Sequence, residues 1–346
     1  MFSVFFRMMF LMSLVLASFR LVESDETVNL SSAIFSHTLQ SLIQTDFGAQ
    51  EKVGRDVDLN ELKFYLYTSK NRGEETILNP LNPKELTSSR GKIFFLLHSW
   101  IYSKQYSTWY NELTNKLLNR YPEGNVVQVD WGSASYQDFG MTAYSTESIG
   151  YHIATIMSNL VLKFHVPTEN FILIGHAMGA QICGWAGKYF IEHTKKKIGK
   201  IVALDPVGIL FKDRPDSKKL NRNDAVGVHV IHTDAENRGF VPSGTIDFYP
   251  NGGYDQPGCH DFDVNSPNRL LIDVVFCSQA RSYEYFIEAI GNPGSFLSHQ
   301  CANEAELASR DCNGVEVGLG DLDTIRQGIF YLKTNSKPPY SQLSIY

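Results

Sequence analysis

The sequence predicts an α/β fold in which a mostly parallel sheet is covered by helices on both faces. Three observations lead there. Short apolar or β-branched runs alternate with helix-length amphipathic runs through the middle of the chain. Several of the short runs lack polar alternation, as strands buried on both faces do. The residues with chemical potential follow the ends of these strands, where ligand sites of such sheets lie.

The elements follow in order. Residues 61–68 (ELKFYLYT) alternate like a half-buried strand, while 92–97 (KIFFLL) and 125–129 (NVVQV) read as covered strands. Between the latter two, 106–119 reads as a helix. Residues 145–164 form a long amphipathic helix with Ile149, Ile153, Ile156, Leu160 and Leu162 on its apolar face. A strand at 171–174, a helix at 181–190 and strands at 200–204 and 226–232 complete the β-α-β alternation. Among the 346 residues no Pro/Ser-rich linker, repeat or low-complexity tract divides the chain, and a 43% hydrophobic share suits one large core. The net charge of −6 argues against a nucleic-acid surface. Lys195, Lys196, Lys197 and Lys200 form the one dense basic cluster, read as a solvated helix end.

The N-terminus has the pattern of a secretory signal. Arg7 supplies the charge, residues 8–17 the apolar stretch, and Ser18 and Ser24 the small residues for cleavage. Residues 1–24 are therefore assigned to a signal peptide and 25–59 to a polar extension. That apolar stretch is too short for a bilayer and no later run reaches the roughly 18 residues required, so no transmembrane segment is expected. Asn29-Leu30-Ser31 is a glycosylation sequon at Asn29. Cys183, Cys259, Cys277, Cys301 and Cys312 all lie in the second half. In an oxidising compartment, sequence neighbours are the first pairs to test: Cys259–Cys277 and Cys301–Cys312, each adding about 2–4 kcal/mol. Cys183 is left as a buried free thiol.

One turn stands out. The apolar strand at 171–174 runs into Gly175-His176-Ala177-Met178-Gly179 and then a helix. This is the pattern of a nucleophile elbow of the α/β-hydrolase fold, in which the middle residue is a Ser raised above the sheet. Both glycines are present, where a Cβ would clash with the folded strand and helix. Position 177 is Ala, whose methyl cannot attack a carbonyl. Asp205, directly after the strand at 200–204, stands where the acid of a Ser-acid-His triad belongs.

These residues resemble the pancreatic-lipase family, in particular its insect secreted branch, from about residue 60 to the C-terminus. The resemblance rests on Val129-Asp130-Trp131, the elbow, Leu204-Asp205-Pro206, Ile231-His232-Thr233-Asp234, residues 247–259 (DFYPNGGYDQPGC), 277–286 (CSQARSYEYF) and 329–340 (IFYLKTNSKPPY). It implies one lipase-like domain over 60–346, and the C-terminal β-sandwich of the digestive lipases is not expected. It puts the catalytic His position at Gln279, whose amide has no usable basicity near neutral pH but could donate to Asp205. It puts the oxyanion-hole N–H groups at Trp100 and Met178, with Ser99 where the family has Gly. The segment between Cys259 and Cys277 corresponds to the lid, with Leu270, Leu271, Ile272, Val274, Val275 and Phe276 as its apolar half. A mobile flap and a permanently packed loop both remain open. Calcium positions match Asp216, Lys219, Asn221 and Asp224, where Asn and Lys favour a plain surface turn over an ion site. No cofactor beyond that calcium is implied.

With nucleophile and base both gone, the triad loses about 10⁶-fold in turnover, and binding plus oxyanion stabilisation leave about 10³–10⁴ over water. Rescue by Ser278, His176 or His260 is disfavoured, since the neighbours of an elbow nucleophile point away from the pocket. The expectation is a secreted pseudo-lipase that binds a lipid or other apolar small molecule, or acts through a protein partner. The fly yolk proteins, similar to this family and without a working triad, are a parallel. An active carboxylic ester hydrolase (a triacylglycerol lipase or phospholipase A1) using other residues, and an interaction protein with a closed pocket, are the alternatives.

Overall fold

The computed structural model describes residues 56–87, 89–234, 241–259 and 276–342. The signal segment, most of the 25–59 extension, Asn29, His260, Leu270, Leu271, Ile272, Val274 and Val275 lie outside the described residues. Eleven described strands form one sheet in the order β10-β9-β11-β8-β7-β6-β5-β3-β4-β1-β2. They are β1 (Lys63–Thr68), β2 (Thr76–Ile77), β3 (Ile93–Leu97), β4 (Asn125–Asp130), β5 (Phe171–His176), β6 (Lys200–Leu204), β7 (Gly227–Ile231), β8 (Ile246–Pro250), β9 (Leu297–Cys301), β10 (Glu316–Gly318) and β11 (Gly328–Leu332). From β4 across to β11 every pairing is parallel, and the antiparallel pairings lie at the two edges. This is the α/β-hydrolase fold.

The period-2 alternation of side chains divides the core between the two faces of the sheet. Phe95, Leu97, Leu173, Ile201, Ala203 and Val230 pack with helices α2 (Phe139–Phe164) and α3 (Met178–Thr194). Phe94, Leu96, Ile172, Ile174, Val202, Leu204 and Ile231 pack with α1 (Trp109–Arg120) and α4 (Cys277–Gly291). A further short helix, α5 (Glu304–Ser309), lies near the C-terminal edge. All six residues of β5 are buried, which explains why its sequence shows no alternation.

Boundaries differ from the sequence expectation where side-chain caps and turns act. Helix α2 begins at Phe139, six residues before the expected start at 145, because the Asp138 carboxylate accepts from the Met141 N–H at 2.8 Å. Helix α1 begins at Trp109, after a turn in which the Ser107 N–H donates to the Ser103 carbonyl. Strand β8 and helix α4 carry recognised motifs but were not expected as elements. Helix α4 opens without a side-chain cap, and β8 is only five residues long. Lys200 departs from the solvated-cluster reading: it sits buried in β6 and its Nζ donates to His229 Nε2 at 3.0 Å.

Cys259–Cys277 and Cys301–Cys312 are bonded, and Cys183 is free and fully buried on α3. Burial pushes its thiol well above the ordinary range, so it is an inert core group.

Candidate functional site

The elbow is folded in full around a residue that carries no reacting group. Ala177 joins β5 to α3 with φ 49° and ψ −105°, a conformation costly for any residue with a Cβ. Its N–H donates to the Leu204 carbonyl at 2.9 Å and its carbonyl accepts from Val207 at 3.2 Å, so the turn is tied to the end of β6 and to the chain beyond Asp205. A Cβ on Gly175 would overlap the Gly179 carbonyl, and one on Gly179 would overlap the carbonyls of Leu97 and His98. Ala177 is 2% exposed.

His176, one residue before, points into the opposite layer. Its ring meets Tyr283 edge-on at 5.1 Å and Trp109 at 6.3 Å, in the packing between α1 and α4. It is 4% exposed, and this arrangement keeps it a core histidine.

Asp205 follows β6 with φ 46° and is 1% exposed. Its Oδ1 accepts from the N–H groups of Thr233 (3.0 Å) and Asp234 (3.1 Å), both just beyond the end of β7. Two backbone donors on a buried carboxylate oxygen offset its desolvation. The donation expected from Gln279 is not formed: that amide makes no hydrogen bond among the described residues, and the backbone amides take the role instead. Gln279 is half-buried in the first turn of α4, whose start Cys259–Cys277 anchors. Ser278 Oγ accepts from the Gln256 N–H at 3.0 Å, a structural bond.

The turn after β3 bears Trp100. His98 fixes it: Nδ1 lies 2.9 Å from the Ser99 carbonyl, and Nε2 accepts from the Trp131 N–H at 3.1 Å. The two rings stack at 4.7 Å, and Trp131 Nε1 donates to the His98 carbonyl. Positive φ falls at Ile101 (56°) and not at Ser99, so a Cβ at 99 is accommodated without left-handed strain. The Trp100 ring is held by its Nε1 bond to Gln137 and an edge contact with Phe139. Among the described residues neither the Trp100 nor the Met178 backbone N–H donates a hydrogen bond.

Sequence reading missed Gln256. It is fully buried, and its Nε2 donates to the carbonyls of Thr233, Pro250 and Tyr254 while Oε1 accepts from Asn251 and Tyr285. One amide thus links the β7 end that holds Asp205 to the helix that carries Gln279. A Gln among Gly and Pro in a loop gives no periodic signal; only its five-bond environment reveals the role.

The calcium positions do not assemble. Asp216 is exposed and faces Lys219 at 3.7 Å, while the Asn221 amide donates to the Asp216 carbonyl and to Asp224. Asp224 is paired with Lys188. No group of three or more His, Cys, Asp or Glu able to hold a metal occurs among the described residues.

Comparison with known proteins gives the family of the chain. The lipase family profile matches residues 30–340. The chain is 30% identical over 331 residues to lipoprotein lipase of Neovison vison, covering 87% of this chain and 68% of that protein. It is 30% identical over 269 residues to pancreatic lipase-related protein 2 of Mus musculus, covering 73% of this chain and 55% of that protein. Among solved structures it is similar to esterase PE8, with 13% identity and a TM-score of 0.31 over 42% of this chain and 70% of that one. The family match spans nearly the whole chain, including every position of the elbow and the acid strand, and the chain belongs to the pancreatic-lipase family.

Proposed function

We propose that the protein is a secreted pseudo-lipase, which holds a lipid or other apolar small molecule in the family's acyl site without hydrolysing it. The observation that carries this is Ala177: a methyl occupies a strained elbow that is otherwise complete, down to its two glycines and the buried acid. Gln279 supports it, because an amide cannot accept and return a proton. The unengaged N–H groups of Trp100 and Met178 are suited to a ligand oxygen such as an ester or acid carbonyl. Two disulfides and the signal-like N-terminus support export. No described helix is long and apolar enough to cross a membrane.

Secreted protein should release bound lipid on organic extraction and show the added mass in native mass spectrometry. It should hydrolyse p-nitrophenyl butyrate no faster than buffer. Turnover that disappears in Asp205→Asn would overturn the reading in favour of an active ester hydrolase. Absence of any extractable ligand would favour a protein-contact role. Ala177→Ser with Gln279→His restores the missing nucleophile and base, and should recover part of the roughly 10⁶-fold that the pair contributes. Either substitution alone should recover almost none, because the two groups act as a unit.

A further inference from the structure

The loop between β6 and β7 is held to helix α3 by an ammonium ion. Lys188 Nζ donates to both oxygens of Asp224, at 2.6 Å each, and to the Lys219 carbonyl at 2.7 Å. An ammonium has three donors, and this one uses all of them on oxygen. The carboxylate is 3% exposed and the lysine side chain 17%. Asp224 Oδ2 also accepts from the Asn221 N–H, and Oδ1 from its amide at 3.2 Å. Nothing in this cradle is left for another cation. Its carboxylate charge is already neutralised, and a divalent ion would have to displace the ammonium or sit against it.

Helix α3 is built to deliver Lys188 there. Gly184 and Gly187, on the same side of the helix, let it approach the loop so closely that a Cβ at 184 would lie 2.7 Å from Leu220 Cα and one at 187 would overlap the Asp224 carbonyl. Gln181, one turn earlier, accepts from the Leu220 N–H and donates to the Val207 carbonyl, both at 2.9 Å. Val207 in turn bonds Ala177. The loop, the helix and the elbow are thus one connected unit with Lys188 as its cation.

We propose that the Lys188 ammonium substitutes internally for a calcium ion, making the β6–β7 loop and the elbow it supports independent of divalent metal. The test uses the full chain and calcium itself. Thermal unfolding midpoints in excess EDTA and in millimolar calcium chloride should coincide, and calorimetric titration with calcium should give no saturable heat. A midpoint that falls by several degrees in EDTA and returns with calcium would overturn the proposal. A second protein, Lys188→Gln with Asn221→Asp, removes the ammonium and offers two carboxylates beside the Lys219 carbonyl, hard oxygen ligands of the kind calcium takes together with water. Its midpoint should fall in EDTA and rise with calcium, or it should fold only when calcium is present. Stability equal to the parent in EDTA would show that the ammonium holds nothing, and would equally refute the idea. These readouts do not involve a lipid ligand, so they stand or fall separately from the carrier reading.

Discussion

At the scale of single residues, Ala177 holds the strained backbone of an elbow with a methyl where a nucleophile would stand. At φ 49° and ψ −105° an alanine bears strain of about 1–3 kcal/mol, which a glycine would not. Glycine in turn adds about 0.5–1 kcal/mol of unfolded-state entropy to be lost. Ala177→Gly should therefore leave stability unchanged or raise it by up to about 2 kcal/mol in urea unfolding. A clear fall would mean that the buried methyl packs well enough to outweigh the strain. Gln279 and Asp205 make a related point. The Asp205 carboxylate accepts from two backbone amides, a structural role that does not depend on the side chain at 279.

Helix α3 is the element on which the site is assembled: its N-terminus closes the elbow, and its second and third turns grip the β6–β7 loop. Glycine inside a helix is ordinarily unfavourable by about 1 kcal/mol relative to alanine. At Gly187 the close approach of the Asp224 carbonyl reverses that preference. Gly187→Ala should destabilise the protein by about 2 kcal/mol despite the better propensity, read as a lower urea midpoint at unchanged slope. A stabilised variant would mean that the loop moves away freely and is not gripped by the helix. Helix α3 and strand β5 were legible in sequence because they combine a continuous apolar run with glycine punctuation. The early start of α2 and the whole of α4 were not, since Asp138 and Cys277 announce no periodicity of their own.

The protein as a whole carries a buried basic pair across the sheet, Lys200 on β6 and His229 on β7. Burial, with the Lys200 ammonium alongside, holds the His229 imidazole well below its ordinary range, and burial presses Lys200 down to about 8. His229 is therefore neutral in the folded protein but takes up a proton near pH 6.5 once unfolded. A depressed folded value gives stability that is present above about pH 6.5 and is lost as pH falls, by up to about 1.4 kcal/mol per unit. His229→Gln retains an acceptor for Lys200 and removes the titration. Between pH 6.5 and 5 its stability should decline less steeply than that of the parent; parallel curves would assign acid sensitivity to other groups. Sequence reading placed Lys200 in a solvated lysine cluster and gave His229 no role within the strand at 226–232.

Features that depend on local chain geometry or on the identity of one residue are legible in the amino-acid order alone. The parallel α/β order follows from alternating runs, the elbow from its paired glycines, and the lack of a hydroxyl and an imidazole at two motif positions from Ala at 177 and Gln at 279. Which distant groups satisfy one another is set by the three-dimensional fold. Lys188 meets Asp224 across 36 residues, Gln256 meets Tyr285 across 29, and Asp205 finds its donors at Thr233 and Asp234. A buried polar atom must find a partner wherever the fold supplies one, and neither composition nor spacing encodes which one that will be.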